Sequence, residues 1–174
     1  MGLLKSNFMP NQYVQSVFEI DIQQLAETGV KGIITDLDNT LVGWDVAEPT
    51  EEIKNWFQSL KEADITVTIV SNNHEERVAS FARALNVDYI FKARKPMGKS
   101  FKKAVHQMGL KPEEVVVIGD QMLTDVFGGN RNHLYTIMVV PIKSTDGMMT
   151  KCNRIIERRL LHHFKNRGYI KWEE

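Results

Sequence analysis

The chain alternates short apolar runs with longer segments in which apolar residues recur at every third or fourth position. The short runs are rich in β-branched residues and predict buried strands, whereas the periodic segments predict amphipathic helices. Strands are predicted over residues 31–35, 65–70, 88–91, 115–118 and 134–140. Helices are predicted over residues 51–63, from about 74 to 86 and over 99–108, with shorter helices at 21–28 and near 124–127.

Apolar strands that alternate with helices are typical of a parallel sheet covered by helices on both faces. We therefore predict an α/β fold with a central parallel sheet of five strands. At 174 residues, with no low-complexity linker, residues 1–174 are expected to form one domain. Residues 1–20 show no regular pattern and are expected to lie over the core, and Gly128 and Gly129 are expected to end the short helix before them.

The composition, with 43% hydrophobic and 25% charged residues, is that of an ordinary globular protein. The single cysteine, Cys152, excludes an intrachain disulfide and cysteine-rich zinc sites, and it favours a reducing cytoplasmic setting. The longest apolar runs are too short to span a bilayer, and no signal-peptide core is found near the N-terminus. We therefore expect a cytoplasmic protein, and the charge distribution leaves room for peripheral contact with a membrane.

The net charge is zero, but residues 151–171 hold seven basic residues and one acidic residue. A helix predicted over about 150–165 would carry Ile156, Leu160 and Phe164 on one face and basic residues on the other. The basic face comprises Lys151, Arg154, Arg158, His162 and Lys165. Two interpretations stay open. The favoured one is a docked helix with a solvated back, and the other is contact with an anionic membrane or RNA.

Polar residues follow four of the predicted strands at the point where each strand ends. Ligands of open parallel sheets bind beyond the carboxyl ends of the strands, so these residues are expected at one edge. Chance could supply one of them, but hardly the whole set. The set comprises Asp36 and Asp38 after the first strand, Ser71 after the second, Lys95 after the third, and Asp120, Thr124 and Asp125 after the fourth.

Two carboxylates in close succession at a buried strand end favour a compensating cation, although an ordinary acidic turn is the simplest alternative. Asp36 and Asp120 could hold Mg²⁺, a hard ion that prefers carboxylate and water ligands. The ion would neutralise phosphate oxygens, so that Asp36 could attack phosphorus and form an aspartyl phosphate. Asp38 could protonate the leaving oxygen and then deprotonate a water molecule.

Three more residues suit the binding of a phosphoryl group. Ser71 and the amide of Asn72 could donate hydrogen bonds to its oxygens. Lys95 could offset the negative charge of the transition state.

Other residues near these motifs are interpreted without a role in the chemistry. Lys92, Arg94 and Lys99 are interpreted as solvated charges. Trp44, in the loop after the first motif, could line the entrance of the site or cover a helix end, and the second interpretation is favoured.

The motifs together resemble those of the haloacid dehalogenase (HAD) superfamily. The resemblance covers about residues 30–141 and rests on Asp36-Leu37-Asp38-Asn39-Thr40, Ser71, Lys95-Pro96, Gly119-Asp120 and Thr124-Asp125. It implies a three-layer Rossmann-like fold, Mg²⁺ dependence, Asp36 as the nucleophile, and Asp38 as the acid and base whose main-chain carbonyl also binds the metal. It further implies that Thr40, Thr124 and Asp125 lie behind the metal ligands, or that Asp125 binds the metal through water.

The spacing of the motifs leaves no room for a cap domain. Asp38 and Ser71 are 33 residues apart, and Ser71 and Lys95 are 24 residues apart, and core elements fill both intervals. An open site can accept a phosphoryl group that is attached to a bulky substrate, whereas a cap usually excludes water around a small one.

Within the superfamily, the chain resembles the uncapped subfamily IIIA phosphatases of the YqeG type, to which residues 10–22 and Gly29-Val30-Lys31-Gly32 also point. This branch is similar to the phosphatidylglycerophosphate phosphatases of mitochondria and plastids, which implies a lipid phosphomonoester as one candidate substrate. The expected function is a Mg²⁺-dependent phosphatase acting on that lipid or another bulky phosphoester. The alternatives are a phosphotransferase and an RNA- or ribosome-associated protein with vestigial activity, and the oligomeric state stays open.

Overall fold

A six-stranded parallel sheet forms the centre of the computed structural model, which describes residues 6–143, 159, 162, 164 and 166. The strands are β1 (Gln12–Val14), β2 (Gly32–Thr35), β3 (Thr66–Val70), β4 (Asp88–Ile90), β5 (Val115–Gly119) and β6 (Tyr135–Val139). They lie side by side in the order β1-β6-β5-β2-β3-β4. The central position of β2 places the end of the first motif between the ends of β3 and β5.

Helices connect the strands. They are α1 (Ile22–Glu27), α2 (Glu51–Glu62), α3 (Glu75–Leu85), α4 (Lys99–Gln107) and α5 (Phe127–Arg131). Single turns of 3₁₀-helix lie at Val17–Glu19 and Pro112–Glu114, and a π-helical turn at Met122–Val126 precedes α5. Asp21 caps α1, because its Oδ1 accepts a hydrogen bond from the backbone N–H of Gln24 at 2.9 Å.

The core lies on both faces of the sheet. Successive side chains of a strand point to opposite faces, so Ile33 belongs to the cluster that contains α2 and α3, whereas Ile34 belongs to the cluster that contains α4. Phe81 of α3 and Phe101 of α4 are fully buried on the two sides. The predicted three-layer α/β fold is confirmed. Between Asp38 and Ser71 lie only α2 and β3 as regular elements, and no cap interrupts the described chain.

β1 is an edge strand that the sequence pattern did not predict. It pairs in parallel with β6, with Gln12 opposite Ile137. The prediction of five strands, with residues 1–20 irregular, is therefore wrong at this edge. A three-residue strand in which only Val14 is buried carries too little periodicity to be recognised.

α5 runs through the two glycines that were expected to end the helix before it. A Cβ atom on Gly128 would lie 2.5 Å from the ring of Phe101, and one on Gly129 would lie 2.5 Å from Cγ2 of Thr136. The glycines therefore allow α5 to approach α4 and β6 closely. The prediction of a helix end at this point is wrong, because close packing explains both residues.

Most of the basic helix predicted over about 150–165 falls outside the described residues. Residues 159, 162 and 164 are helical. Phe164 is buried against Met122, Val126 and Met138, whereas His162 is exposed. Phe164 thus packs on the core, as the predicted apolar face requires. None of the described helices has the length and apolar character needed to cross a bilayer.

Candidate active site

The residues that follow β2, β3 and β5 meet in one cleft at the carboxyl edge of the sheet. Thr35 of β2 is in register with Ile69 of β3 and Ile118 of β5, so the polar residues after the three strands begin at about the same level. The cleft has a volume of about 260 Å³. It is lined by Asp36, Asp38, Asn39, Trp44, Ser71, Asn72, Asn73, Lys95, Gln121 and Thr124.

A sharp turn after β2 brings the start and the end of the first motif, residues 36–40, close to the cleft. Asn39 adopts a left-handed conformation with φ of 66°, which asparagine tolerates better than most residues. Its backbone N–H donates to the carbonyl of Val42 at 2.7 Å. The turn also allows the hydroxyl of Thr40 to donate to Oδ1 of Asp120 at 3.1 Å.

Three buried carboxylates form a cluster beneath this turn. Asp36, Asp120 and Asp125 each offer an oxygen, and these oxygens lie within 4.8 Å of one another. Their exposed fractions are 7%, 0% and 1%. Like charges at this distance, removed from water, repel strongly unless cations compensate them.

Lys95 supplies one compensating charge. Its Nζ lies 2.9 Å from Oδ1 of Asp36 and 2.6 Å from Oδ1 of Asp125. Burial lowers the pKa of Lys95, but the carboxylates of Asp125 and Asp36 outweigh burial and hold this pKa above its ordinary value. Lys95 is therefore protonated at neutral pH.

A single ammonium group does not balance the cluster. Burial raises the pKa of Asp36 from 3.8 to about 6; Lys95 opposes the rise, and the charge of Asp125 adds to it. The donors that remain beside Asp36 and Asp120 are carboxylate oxygens, which suit a hard divalent cation. The charge and the chemistry of these residues therefore fit a divalent metal ion.

Asp125 is fixed by contacts to both of its oxygens. Oδ1 accepts from Lys95, and Oδ2 accepts from the backbone N–H of Gln121 and the hydroxyl of Thr124, each at 3.2 Å. The carboxyl lies against the backbone of β5, since a Cβ atom on Gly119 would come within 2.3 Å of Cγ of Asp125. These contacts favour a role in holding Lys95 over direct ligation of a metal.

Ser71 and Asn72 follow β3 at the other side of the cleft. Oγ of Ser71 accepts from the backbone N–H of Asn73 at 3.2 Å, so its own hydrogen can turn towards the cleft. The side chain of Asn72 accepts from the N–H of Lys95 at 2.7 Å and donates to the carbonyl of Lys95 at 3.2 Å. Asn72 thus ties the Lys95 segment to the end of β3, a contact that the sequence did not predict.

Asp38 is held by two residues that sequence analysis missed. Oδ1 of Asp38 accepts from Nε and Nη2 of Arg77 at 3.1 and 2.9 Å, and Oδ2 accepts from Nδ2 of Asn73 at 2.9 Å. Nη1 of Arg77 donates to the carbonyl of Ala47 at 3.1 Å. The side chains of Arg77 and Asp38 are only 13% and 19% exposed. The position of Arg77 six residues after Ser71, at the start of α3, was the available signal.

Trp44 lies in the wall of the cleft and is 54% exposed. The favoured interpretation of Trp44 as a cover for a helix end is therefore wrong, and the alternative, a residue at the entrance, is correct. A larger groove of about 790 Å³ lies at the opposite edge of the sheet, where it includes Thr66 and Asp88. The three clustered carboxylates lie away from this groove, so its size does not make it the site of chemistry.

Comparison with known proteins supports the family resemblance that the motifs indicate. The family model of haloacid dehalogenase-like hydrolases matches residues 11–132. The chain is 55% identical over 172 residues to the probable phosphatase YqeG of Bacillus subtilis, covering 99% of this chain and 100% of that protein. It is 25% identical over 174 residues to phosphatidylglycerophosphate phosphatase 1, chloroplastic/mitochondrial, of Arabidopsis thaliana, covering 92% of this chain and 49% of that protein.

A solved structure shares the fold. The cobalt-bound form of the deoxy-D-mannose-octulosonate 8-phosphate phosphatase of Haemophilus influenzae matches with a TM-score of 0.52 and 16% identity, covering 78% of this chain and 91% of that one. At this identity the likeness concerns the fold alone. The family resemblance seen in the motifs is confirmed by the family model and by the Bacillus relative. The chain belongs to the haloacid dehalogenase-like hydrolases.

Proposed function

We propose that the protein is a Mg²⁺-dependent phosphatase that hydrolyses a phosphomonoester through an aspartyl phosphate on Asp36. The observation that carries this proposal is the cluster of Asp36, Asp120 and Asp125 within 4.8 Å, with Lys95 beside it. The names of the Bacillus and Arabidopsis relatives, both phosphatases, support the reaction class.

Asp36 and Asp120 would hold the metal, with the main-chain carbonyl of Asp38 as a further ligand. When bound, the ion neutralises the charge on the phosphate oxygens and thereby assists the approach of an anionic nucleophile. A donor set of oxygens alone favours Mg²⁺ over metals that prefer histidine or cysteine. Thr40 and Thr124 orient Asp120 and Asp125 from behind.

In the first half-reaction, an oxygen of Asp36 attacks phosphorus, and the bond from phosphorus to the ester oxygen breaks. Asp38 gives its proton to the leaving oxygen. The hydroxyl of Ser71 and the backbone N–H of Asn72 donate to the phosphoryl oxygens. Lys95, protonated and 2.9 Å from Asp36, offsets the negative charge of the transition state.

In the second half-reaction, Asp38 takes a proton from water, and the water oxygen attacks phosphorus. The bond from phosphorus to Asp36 breaks, so inorganic phosphate leaves and the carboxylate is restored. Arg77 and Asn73 hold the carboxyl of Asp38 at the wall of the cleft.

A bulky phosphoester is the substrate class that this cleft suits best, and phosphatidylglycerophosphate is the leading candidate. Only α3 and β4 lie between Ser71 and Lys95 as regular elements, so the cleft stays open to a large substrate. The chain aligns along 92% of its length with the Arabidopsis enzyme named for this lipid, although it spans 49% of that enzyme. We also propose that residues 1–174 form one domain, because β1 and Phe164 pack at the same side of the sheet.

A phosphotransferase is the second candidate, because an open cleft admits acceptors other than water. Release of inorganic phosphate in the presence of candidate alcohol acceptors, compared with transfer to those alcohols, distinguishes the two reactions.

The test of the proposal is phosphate release from a panel of phosphomonoesters, with and without Mg²⁺. The panel includes a soluble aryl phosphate and phosphatidylglycerophosphate in mixed micelles. We expect turnover that requires Mg²⁺ and is lost in Asp36→Asn and Asp120→Asn. Full turnover in Asp36→Asn would show that the covalent route is wrong.

A further inference from the structure

The exposed large hydrophobic side chains of the described residues are concentrated at one edge of the sheet. Four of these five side chains follow the carboxyl end of a strand, and the fifth, Tyr135, begins β6 at the opposite edge. The four are Phe18 after β1, Trp44 after β2, Met97 after β4 and Ile142 after β6. Exposed apolar side chains beside an open cleft are candidates for an interaction site.

Three of the four side chains belong to segments that line or adjoin the cleft. Trp44 lines it, and Met97, 55% exposed, lies two residues beyond Lys95. Ile142, 52% exposed, is tied to the rim because its backbone N–H donates to the carbonyl of Asn39 at 3.0 Å. We call Trp44, Met97 and Ile142 the mouth surface.

Positive charge borders the mouth surface on the side of β4. Residues 89–112 contain seven lysine and arginine residues and no aspartate or glutamate. The exposed cations closest in sequence to Met97 are Lys92, Arg94, Lys99 and Lys102. The loop that carries Lys92 is fixed beside the cleft, because its backbone N–H donates to the carbonyl of Asn73 at 2.8 Å.

We infer that the mouth surface docks on an anionic lipid bilayer, and that the cleft takes a phosphomonoester presented at that surface. The inference rests on the proposed phosphatase activity and names where its substrate is held. Tryptophan favours the interface between water and lipid, and cations beside it are attracted to anionic head groups. When the mouth surface rests on the bilayer, the uncapped cleft beside it faces the plane in which lipid head groups lie.

The apolar side chains separate a bilayer from RNA as the partner. Single-stranded RNA is held by cations together with aromatic side chains on which bases stack. Met97 and Ile142 offer no aromatic plane, and their exposure is explained by contact with acyl chains. The exposed acids Glu75 and Glu76 lie on α3, and the exposed Asp45 beside Trp44 is paired with Lys143, so the attractive charge comes from the side of β4.

The first test is flotation of the full chain with vesicles of phosphatidylglycerol and phosphatidylcholine, compared with phosphatidylcholine alone. We expect binding to the anionic vesicles that weakens as salt rises. Met97→Ser combined with Ile142→Ser should lower the vesicle partition coefficient by roughly tenfold, since each removes apolar surface from the contact. Tyr135→Ser, which changes another exposed apolar residue at the opposite edge, is the control and should bind normally.

A charge reversal tests the basic border in the same assay. Lys99→Glu should lower partition into anionic vesicles by about tenfold, because it replaces an attraction with a repulsion near the surface. Lys61→Glu makes the same change on an exposed residue of α2 beside the opposite groove, and it should have little effect. Equal losses in the two variants would overturn the proposed orientation.

Quenching by brominated lipids tests insertion at the cleft itself. In a Trp172→Phe background, vesicles with brominated acyl chains should quench the tryptophan fluorescence of the protein, and adding Trp44→Phe should remove that quenching. Trp56 is buried at 6% exposure and serves as an internal reference. Quenching that persists in full in Trp44→Phe would contradict insertion of the mouth surface.

Failure of the docking inference is distinguishable from failure of the proposed function. The Met97→Ser and Ile142→Ser variant should hydrolyse a soluble aryl phosphate normally, since neither residue lines the cleft. No vesicle binding, together with normal hydrolysis of the soluble ester or with tight binding to polyuridylate, would overturn docking on lipid. Vesicle binding without hydrolysis of any ester would overturn the phosphatase and leave the docking surface intact.

Discussion

The ammonium group of Lys95 lies 2.9 Å from the carboxylate of Asp36, in a pair that is almost completely excluded from water. Asp125 contacts the same ammonium group at 2.6 Å. Burial nevertheless raises the pKa of Asp36 to about 6. A further cation beside Asp36, the residue that we propose as the nucleophile, would therefore stabilise its charged form.

The raised pKa of Asp36 predicts how the stability of the metal-free protein depends on pH. The pKa is about 6 in the folded state and 3.8 in the unfolded chain. The stability associated with protonated Asp36 is therefore present below about pH 4 and is lost as pH rises through about 6.

Asp36→Asn removes this dependence. In EDTA at pH 8, we expect the variant to unfold with a free energy about 1–3 kcal/mol higher than that of the wild type. The difference should shrink as pH falls towards 5. Urea unfolding at several pH values measures it, and a variant that is less stable than the wild type at pH 8 would contradict the account.

Arg77 is expected to act as a positioning residue for Asp38. Arg77→Gln loses the two hydrogen bonds to Oδ1 and should lower kcat by at least about tenfold, with little change in KM, because the role that we propose for Asp38 is proton transfer. Arg83→Gln, on the exposed side of the same helix, is the control. A rise in KM at constant kcat would instead assign Arg77 to substrate binding.

Thr40 is expected to tune metal affinity through Asp120. Thr40→Val keeps the shape of the side chain but removes the hydroxyl that donates to Oδ1 at 3.1 Å. The affinity for Mg²⁺ should fall about 10–100-fold, the usual effect of removing a partner that orients a metal ligand. Isothermal calorimetry of the metal alone measures this without reference to activity.

Thr68→Val is the matched control for Thr40→Val. Thr68 is buried in β3, and its hydroxyl oxygen has no hydrogen-bond partner within the described part of the chain. The valine variant should therefore bind Mg²⁺ normally and be at least as stable as the wild type. Equal losses of affinity in both variants would indicate a general effect on the fold.

Gly119 is expected to tolerate no side chain. Gly119→Ala would place Cβ 2.3 Å from Cγ of Asp125, a contact that only movement of Asp125 can relieve. Because Asp125 holds Lys95, we expect a loss of stability of about 1–3 kcal/mol together with a loss of turnover. Normal melting and turnover in this variant would show that Asp125 can move without consequence.

The sequence predicted the central strands because these are fully buried and therefore apolar throughout. β2 and β5 lie within the predicted runs or one residue beyond them. β1 was not predicted, because an edge strand of three residues carries almost no hydrophobic periodicity. A helix end was wrongly predicted at Gly128 and Gly129, because sequence alone does not distinguish a glycine that permits close packing from one that ends a helix.

Sequence analysis predicted that the acids, Ser71 and Lys95 lie at one edge of the sheet, because the carboxyl ends of parallel strands all lie at that edge. It did not predict the contact of Arg77 with Asp38, which joins residues 39 positions apart in the chain. One arginine on an amphipathic helix is usually solvated, so the position of Arg77 six residues after Ser71 was too weak a signal to assign it a role. The side chain of Asn72 was missed for the same reason, since its partner, the backbone of Lys95, has no sequence signature.

The most direct test of the central claim is to trap the phosphorylated enzyme. Asp38→Asn should slow the attack of water more than the first transfer when the leaving group is a good one, such as an aryl oxide. Acid quenching followed by peptide mass spectrometry should then find one phosphoryl group on the peptide that contains Asp36, and only when Mg²⁺ is present. Phosphate release by Asp36→Asn at the wild-type rate, with no phosphorylated peptide in any variant, would contradict the account.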